Sequence, residues 1–117
     1  MTLNVGQLNS SAFSFIKGTK SSTKLEGEEL DLLIVRYTYH HFDQREKMID
    51  SMKKSIHQNG KIYILEGVKE LDNDGDLCKD ALSMEELKSS LLDSNVQICK
   101  EDILDEDILL VIRLKCP

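Results

Sequence analysis

The sequence predicts an α/β domain, a mixed sheet whose early strands are parallel and whose last two form an antiparallel hairpin. Three observations carry this. Leu30 to Val35 (LDLLIV) is a nearly continuous apolar run with β-branched residues, the pattern of a parallel strand covered by helices on both faces. Met48, Ile49, Met52 and Ile56 recur at helical spacing downstream, and Lys61 to Glu66 (KIYILE) follows as a second strand, so a β-α-β unit stands in order. Asn95 to Lys100 (NVQICK) and Ile108 to Leu114 (ILLVIRL) are joined across Asp105-Glu106-Asp107. Two strands joined by so short a turn run antiparallel.

The bulk properties fit such a domain. At 117 residues the chain is long enough for one core and too short for two full domains. Hydrophobic residues make up 40% and charged residues 31%, the balance of a folded chain rather than a disordered one. Fifteen Lys and Arg against 21 Asp and Glu leave a formal charge of −6, which argues against general nucleic-acid binding, where a clustered basic excess is needed. No apolar run approaches the roughly 20 residues of a membrane span. The opening MTLNVGQLNS has neither the basic segment nor the apolar core of a signal, so the expected location is cytoplasmic. Cys78, Cys99 and Cys116 are far apart and form no Cys-x-x-Cys pair. They are expected as ordinary thiols in a reducing compartment, not as a zinc or redox site.

The elements read as follows, within a single domain over 1–117. Residues 1–29 hold an N-terminal strand and loop: Ala12 to Lys17 (AFSFIK) alternates and is closed by Gly18, and Thr19 to Glu29 is polar. Residues 30–66 are the β-α-β unit. Its helix is expected to open with a capping box, Asp43 with Glu46 three residues on, and to stop at Asn59-Gly60. Residues 67–117 hold an acidic turn, a short helix opened by a second capping box (Ser83 with Glu86) that turns Leu87 and Leu91 inward, and the terminal hairpin. The expected order is β-β-α-β-α-β-β. The turn Glu70 to Asp76 mimics the start of a calcium loop, but with Gly75 as its sixth residue the bidentate Glu would fall at Ala81, so a solvated turn is the better reading.

The run DLLIVRYTYHHFDQREKMIDSMKKSIHQNGKIYILEG resembles the second half of a class I S-adenosylmethionine-dependent methyltransferase. The matching features are Asp31-Leu32-Leu33-Ile34-Val35, then His41-Phe42, a helix to Gln58, the Asn59-Gly60 turn and the strand Lys61 to Glu66. Ser83-Met84-Glu85-Glu86-Leu87 is similar to the family's next helix start, and Val96 to Lys115 to its closing hairpin, so the resemblance covers about residues 12–115. It implies a truncated Rossmann-like methyltransferase sheet and S-adenosylmethionine as cofactor, with no metal expected.

The departures matter as much. That family cradles the cofactor's methionine end on an acidic Gly-x-Gly-x-Gly loop, because only glycine lets backbone approach so closely. Upstream of Gly18 the one glycine is Gly6, and the family's ribose-binding acid has no counterpart. If Ala12 to Lys17 corresponds to the family's third strand, Gly18-Thr19 stands where Gly-Asp contacts the adenine. With the first two family strands missing, Leu30 to Val35 becomes an apolar edge that invites pairing. Two functions follow. One is a non-catalytic protein-binding or assembly module, as a homodimer or with a protein partner at strand 30–35. The other is a methyltransferase whose cofactor site is reorganised or completed by a second chain.

The candidate site residues cluster after that strand. His41 is the candidate base, since imidazole titrates near neutrality and the resemblance puts this segment at the methyl-transfer mouth. A histidine packing on the following helix is the plainer alternative. Arg36 and Tyr37 close the strand at the carboxyl edge, where open α/β sheets bind ligands, and with Gly18 and Thr19 are the candidate cofactor contacts. His40 and His41 are adjacent, so a regular strand would point them to opposite faces. His57 has no obvious partner, and no metal site is expected.

Overall fold

The computed structural model describes residues 15–72, 75, 77 and 79–117. Six elements follow one another: β1 (Leu30–Arg36), α1 (Arg45–Ser55), β2 (Ile56–Gly67), α2 (Met84–Leu92), β3 (Gln97–Leu104) and β4 (Asp107–Arg113). Single 3-10 turns stand at Tyr39–His41 and Lys69–Leu71. The strands form one sheet in the order β1-β2-β4-β3. β1 runs parallel to β2, with Leu33 opposite Ile62 and Val35 opposite Ile64, and the other two pairings are antiparallel. The mixed sheet and terminal hairpin are therefore as expected. The additional strand expected at 12–17 is not: residues 12–14 lie outside the described ones, and Phe15, Ile16 and Lys17 are exposed and belong to no strand.

One face of the sheet carries the core. Val35, Ile62, Ile64, Ile108, Leu110 and Ile112 alternate along their strands and share a single buried cluster with Met48, Ile49 and Met52 of α1 and Leu87 and Leu91 of α2. The other face presents Leu32 and Ile34, 43% and 62% exposed, beside half-buried Tyr63, Leu65, Leu109 and Val111. The expectation that Leu30 to Val35 is buried on both faces is thus corrected. Among the described residues the helices cover one face only, and β1 pairs with β2 alone.

The two expected capping boxes separate. Ser83 accepts from the Glu86 backbone N–H at 3.1 Å while the Glu86 carboxylate accepts from Ser83 N–H at 3.0 Å, so α2 opens as the sequence implies. At α1 the N-cap position is Gln44, with no side-chain cap. Asp43 turns instead towards Lys20, 3.7 Å away. The end of α1 also differs. The helix stops at Ser55, whose hydroxyl bonds back to the Ser51 carbonyl, and Ile56 is already extended and opposite Leu30 in β2. Ile56 suits both descriptions because it is buried either way. Asn59-Gly60 lies inside β2, where the register slips between Leu30 and Leu32. Gly60 is needed there for closeness rather than for handedness: a Cβ would sit 2.7 Å from the Leu30 carbonyl oxygen.

Two ties hold the periphery. Thr23 bonds the hydroxyls of Ser51 and Ser55, pinning the segment before β1 onto α1. Cys99 and Cys116 form a disulfide that fastens the chain end beyond β4 to β3, which corrects the expectation of free thiols at these two positions. Spacing alone did not reveal it. The slip in register between Ile98 and Lys100 puts Cys99 at an irregularity of β3, and Gln97 accepts from the Cys116 backbone N–H at 2.8 Å beside it. His57, for which the sequence offers no partner, lies 2.7 Å from Asp31.

Candidate ligand site at the carboxyl ends of β1 and β2

β1 ends in a sharp change of direction. The Tyr37 N–H still donates to the Leu65 carbonyl at 2.8 Å, but its φ of 54° is left-handed, a conformation that costs a non-glycine residue about 1–3 kcal/mol and gathers at functional sites. Its hydroxyl donates to the Asp107 carboxylate at the start of β4. That bond, with burial second, raises the phenol above its ordinary range. Tyr37 thus reaches across β2, since Asp107 pairs with Gly67.

The 3-10 turn that follows is anchored by Tyr39, fully buried, whose hydroxyl meets Ser90 of α2 at 2.7 Å and whose ring meets Phe42 edge-on at 6.0 Å. Arg45, in the first turn of α1, lies 5.9 Å over the Tyr39 ring and donates to the His40 carbonyl at 3.1 Å. These contacts hold the two imidazoles that the sequence places side by side. His40 points inward: its Nδ1 lies 2.7 Å from the Glu66 carboxylate, with side-chain exposures of 10% and 2%. Burial raises the Glu66 carboxyl above its ordinary range, against the hydrogen bond and charge of His40 and the Tyr39 backbone N–H. His41 is exposed, its ring 3.9 Å from that of His40.

Two clefts adjoin this pair. One, of about 220 Å³, is bounded by Tyr37, His40, His41, Gly67, Leu77, Ala81 and Asp107. The other, of about 500 Å³, is polar and runs past His40, His41, Asp43, Arg45 and Asp80. A broader groove of about 800 Å³ lies elsewhere, between the segment 21–26, α1 and the turn after α2. The carboxyl-edge clefts are the ones placed where open α/β sheets bind ligands.

Of the residues singled out in the sequence, the fold brings Tyr37 and His41 to one cleft. Arg36 is exposed and stacks 5.1 Å over the Tyr37 ring. Gly18 and Thr19 lie in the exposed segment before β1, where the Thr19 N–H donates to the Ser22 carbonyl, and they line neither carboxyl-edge cleft. Sequence reasoning missed Glu66, His40 as its partner, and Asp107. A signal for Glu66 existed: it continues the alternation Ile62, Ile64, Glu66, so a carboxylate falls at an inward position. Among the described residues no group of three or more His, Cys, Asp and Glu is arranged to hold a metal. No described helix is long and apolar enough to cross a membrane.

No protein-family model matches the sequence, and no curated protein does so either. Solved structures do match in fold. The chain superposes on an S-adenosylmethionine-dependent methyltransferase from Aquifex aeolicus with a TM-score of 0.75 and 15% identity, covering 85% of this chain and 53% of that one. A Leishmania major S-adenosylmethionine-dependent methyltransferase gives 0.65 and 15%, with 82% and 43% covered. The glycopeptide N-methyltransferase MtfA, solved with S-adenosylmethionine, gives 0.64 and 10%, with 86% and 59% covered. The chain therefore spans about half the length of these structures. Its fold is the C-terminal portion of a class I methyltransferase-like fold, a mixed sheet with parallel β1 and β2.

Among the described residues no glycine loop of the kind that the resemblance implies for S-adenosylmethionine is formed. Gly67 is the glycine at the carboxyl end of a parallel strand, and Leu77 occupies the space beside it, 2.7 Å from where a Cβ would stand. Gly27 and Gly75 have positive φ and lie outside the strands.

Proposed function

We propose that the chain is a methyltransferase-like half-sheet that acts as a non-catalytic protein-binding or assembly module, without a competent S-adenosylmethionine cradle of its own. The supporting observation is β1: an outermost strand with exposed Leu32 and Ile34, on a sheet whose second face is only half covered. An apolar edge of this kind favours pairing with another chain. The partner is a second copy, giving a homodimer, or another protein docked on strand 30–35. Sedimentation at tens of micromolar tests the first form: a dimer mass that Ile34→Lys reduces to monomer supports it, and a clean monomer mass removes it.

A second reading is favoured by the His40–Glu66 pair and the strained Tyr37 at the carboxyl edge. In it the chain is an S-adenosylmethionine-dependent methyltransferase whose cofactor site is reorganised or completed by a second chain, with His41 as base. Holding donor and acceptor in line is most of such catalysis, so a missing cradle weighs against this reading. Titration calorimetry with S-adenosylmethionine and S-adenosylhomocysteine separates the two. Micromolar binding favours the enzyme, in which His41→Ala should then lower transfer without unfolding the domain. Silence at millimolar ligand favours the assembly module. A cytoplasmic location belongs to the same proposal, and the Cys99–Cys116 disulfide weighs against it. Thiol labelling of Cys99 and Cys116 in freshly lysed cells tests it, because a reducing compartment keeps such thiols free.

A further inference from the structure

The two imidazoles of the 3-10 turn are held in opposite ways. His41 is exposed, whereas His40 is nine-tenths buried and fixed through Nδ1 to Glu66 at 2.7 Å. When a neutral His40 donates Nδ1–H to the carboxylate, Nε2 carries no proton and is a hydrogen-bond acceptor. Nε2 is buried and has no hydrogen-bond partner among the described residues, and the same holds for Glu66 Oε1. Buried polar atoms are nearly always paired, so two orphans on one bonded pair call for an explanation.

The surroundings say what would meet it. The cleft of about 220 Å³ beside the pair has apolar walls in Leu77 and Ala81. In the neutral Nδ1–H form of His40, Nε2 is an acceptor, and Tyr37 spends its own proton on Asp107, whose carboxylate accepts. A ligand here must therefore bring the donor. The two carboxylates, Glu66 and Asp107, disfavour an anion. The His41 ring lies 3.9 Å from that of His40 and is exposed.

We propose that this cleft binds a small uncharged hydroxyl compound, and that His40 Nε2 accepts the ligand's hydroxyl hydrogen after His41 moves aside. The inference goes beyond the assembly reading and stands whether or not S-adenosylmethionine binds, because it needs neither a donor nor a second chain. It assigns the ligand-facing role to His40, and to His41 the role of a cover.

Phenol is a suitable probe and anisole its control, since the two share a ring and only phenol donates. Side-chain nitrogen NMR of the whole chain at pH 7 reads the tautomer directly. The expected result is a proton on Nδ1 and none on Nε2 of His40, with phenol shifting the Nε2 resonance saturably and anisole failing to do so. His41→Ala is expected to bind phenol at least as tightly as the wild type, and Glu66→Gln at least tenfold more weakly. A proton found on Nε2, equal binding of phenol and anisole, or no binding of either at millimolar concentration overturns the proposal. The tautomer and the anisole comparison use the unmodified protein, so neither depends on a variant folding.

Discussion

Thr23 and Ser55 meet hydroxyl to hydroxyl, 2.8 Å apart, across 32 residues of chain. The contact sits in a small polar cluster on the outer end of α1. Thr23 N–H also donates to Ser51 Oγ at 2.9 Å, and Ser51 donates to Glu26 at 2.7 Å. Ser51 and Ser55 are buried: the Ser51 hydroxyl takes Glu26 and Thr23 of the segment before β1 as partners, and that of Ser55 donates to the Ser51 carbonyl and meets Thr23. Thr23→Val keeps the shape and removes the hydroxyl. It should cost about 1–3 kcal/mol in urea unfolding, the penalty for leaving buried polar groups unpaired. An unchanged midpoint would mean that the segment merely rests on the helix.

The same cluster has a pH signature. The hydroxyls of Ser22 and Ser51 stabilise the ionised carboxylate of Glu26 and lower its pKa from 4.5 to about 2. A group depressed in the folded state contributes stability above its unfolded pKa, and that contribution is lost as pH falls through the folded value. Between pH 4.5 and about 2 the wild type should therefore lose stability faster than Glu26→Gln. Equal slopes for the two proteins in acid unfolding would remove Glu26 from the account.

The helix starts differ in a way that mutation can read. Ser83→Ala removes the side-chain half of the box at α2, leaving the backbone N–H of residue 83 to the Glu86 carboxylate, and should cost about 1 kcal/mol. Asp43→Ala removes no cap from α1, only an exposed contact with Lys20, and should move the unfolding midpoint by a few tenths of a kcal/mol at most. A larger loss at Asp43 than at Ser83 would contradict the capping described here.

The Cys99–Cys116 bond closes a loop with a sequence separation of 17. Chain-entropy arguments put a closure of that length at about 3 kcal/mol. Cys116→Ser, or reduction of the wild type, should lower stability by that order, and reduction should leave the stability of Cys116→Ser unchanged. If reduction destabilises both proteins alike, the effect lies elsewhere.

What the sequence determined alone was whatever depends on local pattern. The period of Met48, Ile49 and Met52 made α1. The alternation in KIYILE made the centre of β2, and the short acidic turn at Asp105 made β3 and β4 antiparallel. Ser83 with Glu86 capped α2, because both partners of that box lie within three residues. The tertiary structure decided what depends on distant neighbours. Ile56 satisfied a helix and a strand equally, and the presence of Leu30 opposite it settled the matter. Asp43 met the sequence requirement for a cap but turned to Lys20. Leu32 and Ile34 read as buried because their composition is apolar, and only the placement of both helices on one face leaves them open. The His40–Glu66 pair joins residues 26 positions apart, and Tyr37 meets Asp107 across 70. Such contacts follow from strand order, which no local period encodes, and so the site emerged only once the sheet had assembled.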